Sequence, residues 1–464
     1  DNRSTIDVNG TAVNIQGADS RVTNSGTVTA TDGTAAYLVG KDASLTLTGS
    51  GETRAAGSAH GILLDQGASG LSVEGATISM DNAGSGSAIE NRAALAGIQL
   101  KETTINVGNG IGVHTGASMA QTNSGTINVS GSGTGILFEN IDGSRTDEVL
   151  DMRDSRDLVI NVQQADGKGI VTNASSDLDT GASVNVLDSN GGAALIVGGT
   201  TQRVGQYGNL TSVSQNSPVV DVNNGALTSF TNYGTIQADS REQVALDNHT
   251  GSGIQFTNAS GGAITGQVNL LSGDNQVTLV SGSTGNDFTT GNGDDRFLLK
   301  DIQDGETGLF SSLNGGQGDD TLTLQNSRYV LDNADAVTGM EHIELTDGSE
   351  FTLDNVTLAL GDAQDDGAGT GYQLDGGSTL ALRQQADTAF NSHLAGTGTV
   401  AADTAGHRFD FTANNASDGF NGTLALTNSR FELDGLNTRA LSQATLSAGS
   451  GSLTHVGVGE QNIG

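Results

Sequence analysis

Short aliphatic segments recur along the chain at an interval close to 25 residues. Between them, stretches such as SLTLTG, TINVG and SVNVLD alternate apolar and polar residues, which is typical of half-buried strands. The aliphatic segments centre on nine positions: Tyr37, Ile62, Ile89, Ile111, Ile136, Ile170, Leu195, Val219 and Val244.

A repeat of this length predicts one turn of a parallel β-helix, with three short strands and three corners per coil. One coil cannot bury its apolar side alone, but coils stacked about 4.8 Å apart share a continuous core. The 69 Gly suit tight corners, and the single Pro is consistent with a ladder that needs nearly every backbone N–H. We therefore expect an all-β fold: a right-handed three-stranded parallel β-helix that spans residues 1–464 as a single domain.

One interval of the repeat is longer than the others. Ile136 and Ile170 are 34 residues apart, and the excess falls in Glu139–Asp157, the densest charge cluster of the chain. Because an insertion in a solenoid must leave the coil, the sequence predicts a protruding charged loop at about residues 141–157. This loop is either a binding element or a solvated excursion with internal ion pairs.

Polar residues follow the aliphatic segments and are predicted to line one corner. Asn and Asp are also common at solenoid turns, where stacked Asn side chains hydrogen-bond one another, so the row is either structural or a strip for an extended partner. Its members are Asp65, Asn91, His114, Glu139, Asn140, Asn173, Asp221, Asp247 and Asn248.

Composition excludes several kinds of function. With 53 Asp+Glu against 19 Lys+Arg, the net charge of −34 argues against nucleic acid as a partner. The absence of Cys excludes thiol catalysis and Cys-ligated metals, and the seven His show no metal-ligand spacing. We expect no catalytic residues, no metal and no cofactor.

Two Gly-Asp motifs lie one coil apart, at Thr290–Phe297 and Gly315–Leu322. The second matches a calcium-binding nonapeptide, but such sites need nonapeptides in immediate tandem. We therefore expect stacked Gly-Asp corners and only an alternative acidic face, formed by Asp294, Asp295, Asp319 and Asp320.

The T-N-x-G-T-[V/I] segments at Thr23–Val28, Thr122–Ile127 and Thr231–Ile236, together with the stretch Ala395–Gly435, carry a family resemblance. They resemble the passenger domain of a bacterial type V autotransporter of the AIDA-like adhesin group. The resemblance implies a β-helix displayed on the bacterial cell surface, anchored to the outer membrane by a C-terminal translocator β-barrel that we expect outside this sequence. Members of this group adhere to host matrix proteins such as fibronectin, to glycans and glycosaminoglycans, or to one another.

The expected function is therefore adhesion to a host extracellular-matrix protein, a glycosaminoglycan or both, and weak self-association is a further candidate interaction that ranks below host-ligand binding. A self-associating biofilm protein and a polysaccharide lyase-like enzyme are the alternatives. A loop standing over a straight wall can make a groove, and its Arg side chains can bind carboxylate or sulfate groups. The predicted ligand-binding residues are Asp65, His114, Glu139, Asn140, Arg145, Arg153, Arg156, Lys168, Asn173, Asp221 and Asp247.

Overall fold

The strands of successive coils pair in parallel, each residue opposite its counterpart one coil later. The computed structural model describes residues 1–80, 85–93, 96–139, 149–360, 371–411, 419–433, 441 and 443–456. Its sheets stack as a parallel β-solenoid of about 16 turns with about 25 residues per turn. Within these residues, helix is confined to one 3-10 turn at Ala334–Ala336. The predicted β-helix is confirmed.

The chain divides into two compact units. Unit 1 is Asp1–Ser252 with Gly261–Asn269, and unit 2 is Gly253–Ser260 with Leu270–Gly464. The single domain over residues 1–464 stays a prediction.

Two long walls run through unit 1. The strands of sheet 1 are Thr5–Asn9, Thr27–Thr31, Glu52–Ala56, Thr77–Met80, Thr103–Val107, Ser124–Val129, Asp157–Val162, Ser183–Val186, Asn209–Ser212, Thr235–Gln237 and Ala263–Thr265. The strands of sheet 2 in this unit are Val13–Ile15, Ala35–Val39, His60–Leu64, Ser87–Asn91, Ile111–Thr115, Thr134–Phe138, Lys168–Thr172, Leu195–Val197, Val220–Val222, Val244–Asn248 and Gln267–Asn269.

The third wall of unit 1 is built from two shorter sheets. Sheet 3 comprises Ser20–Thr23, Ser44–Thr48, Gly70–Glu74 and Gly97–Lys101. Sheet 4 in this unit comprises Val149–Met152, Asp177–Thr180, Arg203–Gln206 and Ser229–Asn232.

The core of unit 1 consists of columns of stacked aliphatic side chains. In sheet 1, Ile78, Ile105, Ile127 and Ile160 pair in consecutive register and are all buried. Each of these side chains packs on its equivalent in the next coil, so the apolar surface stays covered along the unit.

The inward column of sheet 2 confirms six of the nine predicted repeat positions: Tyr37, Ile62, Ile89, Ile136, Ile170 and Leu195. The other three predictions are wrong by one or two residues, since Val113, Val220 and Leu246 occupy the column instead of Ile111, Val219 and Val244. Aliphatic residues stand at both the predicted and the actual positions, so composition alone could not fix the register.

Unit 2 has four series of strands. Sheet 5 contains Gln255–Asn258, Gln276–Val280, Arg296–Lys300, Thr321–Gln325, His342–Thr346, Gly371–Leu374 and His393–Gly396, and sheet 6 contains Asp287–Thr289, Ser312–Asn314 and Val337–Thr338. Sheet 7 contains Arg328–Leu331, Glu350–Asp354, Thr379–Arg383, Thr399–Asp403, Thr423–Thr427 and Thr445–Ala448, and sheet 8 contains Thr388–Phe390, Arg408–Phe411, Arg430–Leu433 and Leu453–Val456.

Aromatic residues take over much of the core in unit 2. Phe390 stacks on Phe411 with ring centroids 5.3 Å apart, and Phe409 stacks on Phe431 at 6.0 Å. Offset stacking of this kind adds to the burial of large rings. The core of unit 2 is therefore also built from columns of stacked side chains, which are larger here than in unit 1.

The protruding loop predicted at residues 141–157 is wrong in its second half. Val149–Met152 is a wall strand that pairs with Asp177–Thr180, and Leu150 and Met152 are buried. The side-chain oxygen of the buried Ser155 accepts the backbone N–H of Asn123 at 2.9 Å. Residues 140–148 lie outside the described residues, so the first half of the loop stays a prediction.

Truncation of this strand should destabilise the protein. Leu150→Ala and Met152→Ala should each lower the free energy of unfolding by about 2–5 kcal/mol, because each leaves a cavity in the core. Arg156→Ala, at an exposed position of the same segment, is the control and should change it by less than about 0.5 kcal/mol. Urea denaturation followed by circular dichroism measures all three. Equal midpoints for the core variants and the control would contradict the strand assignment.

Candidate ligand-binding surface

The predicted polar row divides into separate columns at sheet 2. His114, Asp221 and Asp247 share one outward column, because the register carries His114 through Leu137 and Ile196 to Asp221. Between the His114 coil and the Asp221 coil this column is aliphatic. The outward column therefore contains two polar clusters rather than one continuous strip.

The other members of the row lie in two neighbouring columns. Asn91 and Asn248 point inward and are buried, and Asn91 donates to Thr115 Oγ1 at 3.0 Å. Asp65, Glu139 and Asn173 each follow the last residue of a strand. The prediction of a single aligned row is wrong, because alternate residues of a strand face opposite sides of a sheet.

The first cluster surrounds the buried carboxylate of Glu90. His114 Nδ1 lies 2.9 Å from Glu90 Oε2, and the Ser87 hydroxyl donates to the same oxygen at 2.8 Å. Arg92 Nε is 3.5 Å from Glu90 Oε1. His114 Nε2 lies 3.3 Å from Glu139 Oε2, so the structure brings these two predicted residues together.

The charges of this first cluster largely compensate one another. Burial alone would raise the pKa of Glu90, but hydrogen bonds from His114 and Ser87 lower the pKa to about 2. Burial alone would lower the pKa of His114, but Glu90 and Glu139 raise it. At His60 burial prevails and lowers the pKa, in keeping with its Nδ1 accepting the Ser87 backbone N–H at 3.1 Å. This cluster is an internally paired network.

The second cluster is less well compensated. Asp221 and Asp247 stand opposite each other on adjacent coils. His249 Nε2 lies 3.1 Å from Asp221 Oδ1 and 3.5 Å from Asp247 Oδ2. Burial raises the pKa of Asp247, the charge of His249 lowers it and the charge of Asp221 raises it further, with a net increase. One half-exposed imidazole thus serves two carboxylates.

The predicted cations are mostly engaged by protein groups. Arg153 Nε lies 3.0 Å from Asp151 Oδ1, and its Nη2 lies 3.1 Å from Asp179 Oδ2. Lys168 donates to the backbone oxygen of Asp166 at 3.1 Å. Arg156 is exposed. Asn140 and Arg145 lie outside the described residues.

Sheet 4 holds an outward network that sequence reasoning missed. The buried Asp179 also accepts from Arg203 Nη1 at 2.8 Å. Tyr207 stacks on Tyr233 with ring centroids 4.5 Å apart, and the Arg153 guanidinium lies 5.9 Å from the Tyr207 centroid. The available signal was a spacing of about one coil: 24 residues from Asp179 to Arg203 and 26 from Tyr207 to Tyr233.

The same spacing could have revealed Glu90, which lies 24 residues before His114. Glu90 organises the first cluster, but the aliphatic segment SAIENR predicts only its neighbour Ile89, as a core position of the repeat. A search for oppositely charged residues one coil apart would have found both networks.

In unit 2, the alternative acidic face is a ladder of side-chain-to-backbone hydrogen bonds. Asp295 accepts the backbone N–H of Asn275 at 2.6 Å, Asp320 accepts that of Asp295 at 2.8 Å, and Glu341 accepts that of Asp320 at 2.7 Å. Asp295 and Asp320 are buried, whereas Asp294 is exposed and Asp319 is half-buried. Asp294 accepts the backbone N–H of Asp319 at 3.0 Å.

Two glycines let these corners stack. Gly293 and Gly318 have φ of +133° and +141°, and a Cβ on Gly318 would stand 2.0 Å from the Gly293 carbonyl oxygen. Only glycine fits such a position. Across the part of the chain that the structure describes, no group of three or more His, Asp or Glu side chains is arranged to hold a metal ion.

Comparisons with known proteins add little to these observations. A stretch of 84 residues, 18% of this chain, is 39% identical to the uncharacterized protein YuaQ of Escherichia coli K12. The match spans 6% of the length of that relative. No protein-family model and no solved structure matches the chain. No helix in the described ranges is long and apolar enough to cross a membrane.

The acidic ladder predicts that unit 2 loses stability as pH rises. Burial raises the pKa of Asp320 to about 7, and the hydrogen bond from the Asp295 N–H opposes that rise. Because the unfolded pKa is near 3.9, the folded state holds the proton more tightly. The stabilisation is complete below pH 4 and is lost as pH rises through 7.

Asp320→Asn should therefore raise the free energy of unfolding at pH 8 by about 1–3 kcal/mol and flatten its decline between pH 4 and 8. Asn is compatible with the ladder, since Asn275 occupies an equivalent place and accepts the Ile254 N–H at 3.1 Å. Asp319→Asn removes the same charge one residue earlier and should leave the pH dependence unchanged. Thermal denaturation from pH 4 to 8 measures both variants, and parallel curves for Asp320→Asn and the wild type would contradict the account.

Proposed function

We propose that this chain is the adhesive part of a bacterial surface protein and that it binds a host extracellular-matrix protein through the outer face of sheet 2. The observation that carries the proposal is the Asp221–Asp247 pair, two facing carboxylates with one shared imidazole. The sequence resemblance to autotransporter adhesins supports the cell-surface setting.

The acidic pair suits a cationic side chain of a protein ligand. Asp247 Oδ1 is buried and makes no hydrogen bond, and the buried Asp221 Oδ1 is met by the half-exposed His249 Nε2 at 3.1 Å. An Arg or Lys inserted between the carboxylates would form charge-assisted hydrogen bonds, which are about twice as strong as neutral ones. The net charge of −34 also speeds the approach of a basic partner.

A glycosaminoglycan is the second candidate ligand, and the cation geometry disfavours it. Arg153 and Arg203 share the carboxylate of Asp179, with further pairing to Asp151 and Asp177. A sulfated polymer would have to replace these partners and overcome the negative charge of the chain. Exposed Arg156 remains for such a contact.

A serine and a histidine meet a carboxylate at sheet 2, which bears on the enzyme alternative. Ser87, His60 and Glu90 lie together, but the Ser87 hydroxyl donates to Glu90 and not to a histidine. A nucleophilic serine needs a hydrogen bond to its general base. This geometry favours a structural role for Ser87, and incubation with uronate polymers, followed by the absorbance of unsaturated products, tests the lyase alternative.

Neutralising the acidic pair should weaken binding of a basic matrix protein. Asp221→Asn with Asp247→Asn should raise the dissociation constant for a basic fibronectin fragment about tenfold or more, because two charged hydrogen-bond acceptors are lost. The wild-type dissociation constant should also rise with salt concentration, and less steeply in the variant. Surface plasmon resonance at 50–300 mM NaCl measures both effects.

The matched control is Asp19→Asn with Asp32→Asn, which removes the same charge from two exposed positions of unit 1. Their positive φ angles of 55° and 50° are well tolerated by Asn. The control should bind within about twofold of the wild type. Equal losses in both double variants would show a general charge effect, and retention on heparin with no binding of the fragment would favour the glycosaminoglycan.

A further inference from the structure

The outer face of sheet 1 carries a continuous ladder of side-chain amides. Asn128 donates to Asn106 Oδ1 at 2.9 Å, Asn161 donates to Asn128 Oδ1 at 3.2 Å, and Asn185 donates to Asn161 Oδ1 at 3.0 Å. Thr211 extends the ladder by donating to Asn185 Oδ1 at 3.0 Å. Each primary amide uses one N–H along the ladder, so its second N–H and further acceptor capacity remain for other groups.

A second outward column runs beside the amides, two residues earlier on each strand. Hydroxyl residues dominate it: Thr77, Thr104, Thr126, Ser183 and Thr235. They alternate with buried core residues and are half-buried at the surface. Strand geometry places the two columns about 7 Å apart and the coils about 4.8 Å apart, which makes a regular grid of hydrogen-bonding groups.

Over eight successive coils these two columns contain no charged side chain, and the next outward position along the strands holds Asp157 in one coil. The remaining positions are Ser79, Val159, Asn209, Gln237, Ala263 and Thr265. At the chain average of 16% charged residues, sixteen positions would carry between two and three charges. The same stretch of sheet 2 carries Glu90, Asp221 and Asp247 on its outer face. We call these sixteen residues the neutral face.

The amide ladder alone does not account for this absence of charge. Stacked Asn side chains stabilise neighbouring coils, and that role requires only the amide column. Coil stacking still accommodates a single charged residue in the hydroxyl column, since Glu52 occupies it one coil before Thr77 and pairs with Arg54 at 2.7 Å. The neutral face is therefore better explained by a partner that disfavours charge.

We propose that the neutral face binds an uncharged, hydroxyl-rich polysaccharide laid along its two columns. Sugar hydroxyls both donate and accept, so they can pair with the amides and hydroxyls of the grid. Many weak contacts along one polymer add up to useful avidity. The site is separate from the acidic pair of sheet 2 and does not depend on the matrix-protein proposal.

Charge and side-chain type disfavour other occupants. A second copy of the chain carries −34 and is repelled, as is an anionic polymer. Protein partners are usually anchored by Trp, Tyr or Arg, and the neutral face contains none of these residues. A neutral glycan meets no electrostatic repulsion and can be held by hydrogen bonds to the amide and hydroxyl groups.

The test uses the full chain and three hydroxyl-to-methyl substitutions, Thr104→Val, Thr126→Val and Thr235→Val. Valine fits this column, because Val159 already occupies it. The control is Thr379→Val, Thr399→Val and Thr423→Val on the outward column of sheet 7 in unit 2. The probes are cellulose, curdlan and dextran, with polygalacturonate as the anionic comparison. Depletion from solution and affinity electrophoresis measure binding at 50 and 500 mM NaCl.

The wild type and the control should bind at least one neutral polymer with little dependence on salt. The sheet 1 variant should bind it at least about tenfold more weakly, since three hydrogen bonds are lost, with an unchanged circular dichroism spectrum. Failure to bind any neutral polymer, or equal binding by both variants, would overturn the proposal. Sedimentation that shows dimers of the wild type but not of the sheet 1 variant would assign the neutral face to a second copy instead.

Discussion

The in-register stacking of one coil on the next is the constraint from which the other features of this protein follow. A parallel ladder places each residue opposite its counterpart about 25 residues later. Each side chain must therefore be compatible with the side chains at the same position in the two neighbouring coils. Inward positions respond with stacked aliphatic residues such as Ile105 and Ile127. Many outward positions hold polar side chains that can hydrogen-bond to the same residue type in the next coil, as Asn128 does to Asn106. Like charges cannot stack in this way without partners. The acidic side chains of a column therefore need nearby cations or hydrogen-bond donors.

The corners between strands impose a second constraint, because a backbone N–H group outside the ladder still needs a hydrogen-bond acceptor. In several corners the acceptor is a buried side-chain oxygen from the following coil. It is a carboxylate at Asp320, which accepts the Asp295 N–H, and a hydroxyl at Ser349, which accepts the Ser327 N–H at 3.0 Å. The hydroxyl carries no charge, whereas the carboxylate takes a raised pKa as the consequence of burial. Part of the acidity of the chain is thus structural.

The sequence was sufficient for the period, the fold class and most core positions, because those depend on which residue types recur. The sequence was insufficient where two neighbouring residues of the same type could each occupy the inward position. Ile111 and Val113 are both aliphatic, and only the ladder shows that Val113 is inward. Charge density suggested a loop around Arg153, although the alternation of Leu150 and Met152 with polar neighbours was already that of a wall strand. Clusters such as Asp179 with Arg203 require the register itself, since their members are separated by a whole coil.

The same register limits how a ligand can experience the net charge of −34. At Glu90 and Asp179 the carboxylates are already met by His or Arg, and at Asp295 the charge is buried within a corner. These groups contribute to the long-range field but offer few direct contacts. A cationic ligand that approaches because of the field must therefore bind where compensation is incomplete, as at Asp221, whereas an uncharged ligand does not respond to the field and can bind where charge is absent. Long-range attraction and short-range recognition are carried by different residues, so a surface substitution can slow association without speeding dissociation, and a substitution at a contact can do the reverse.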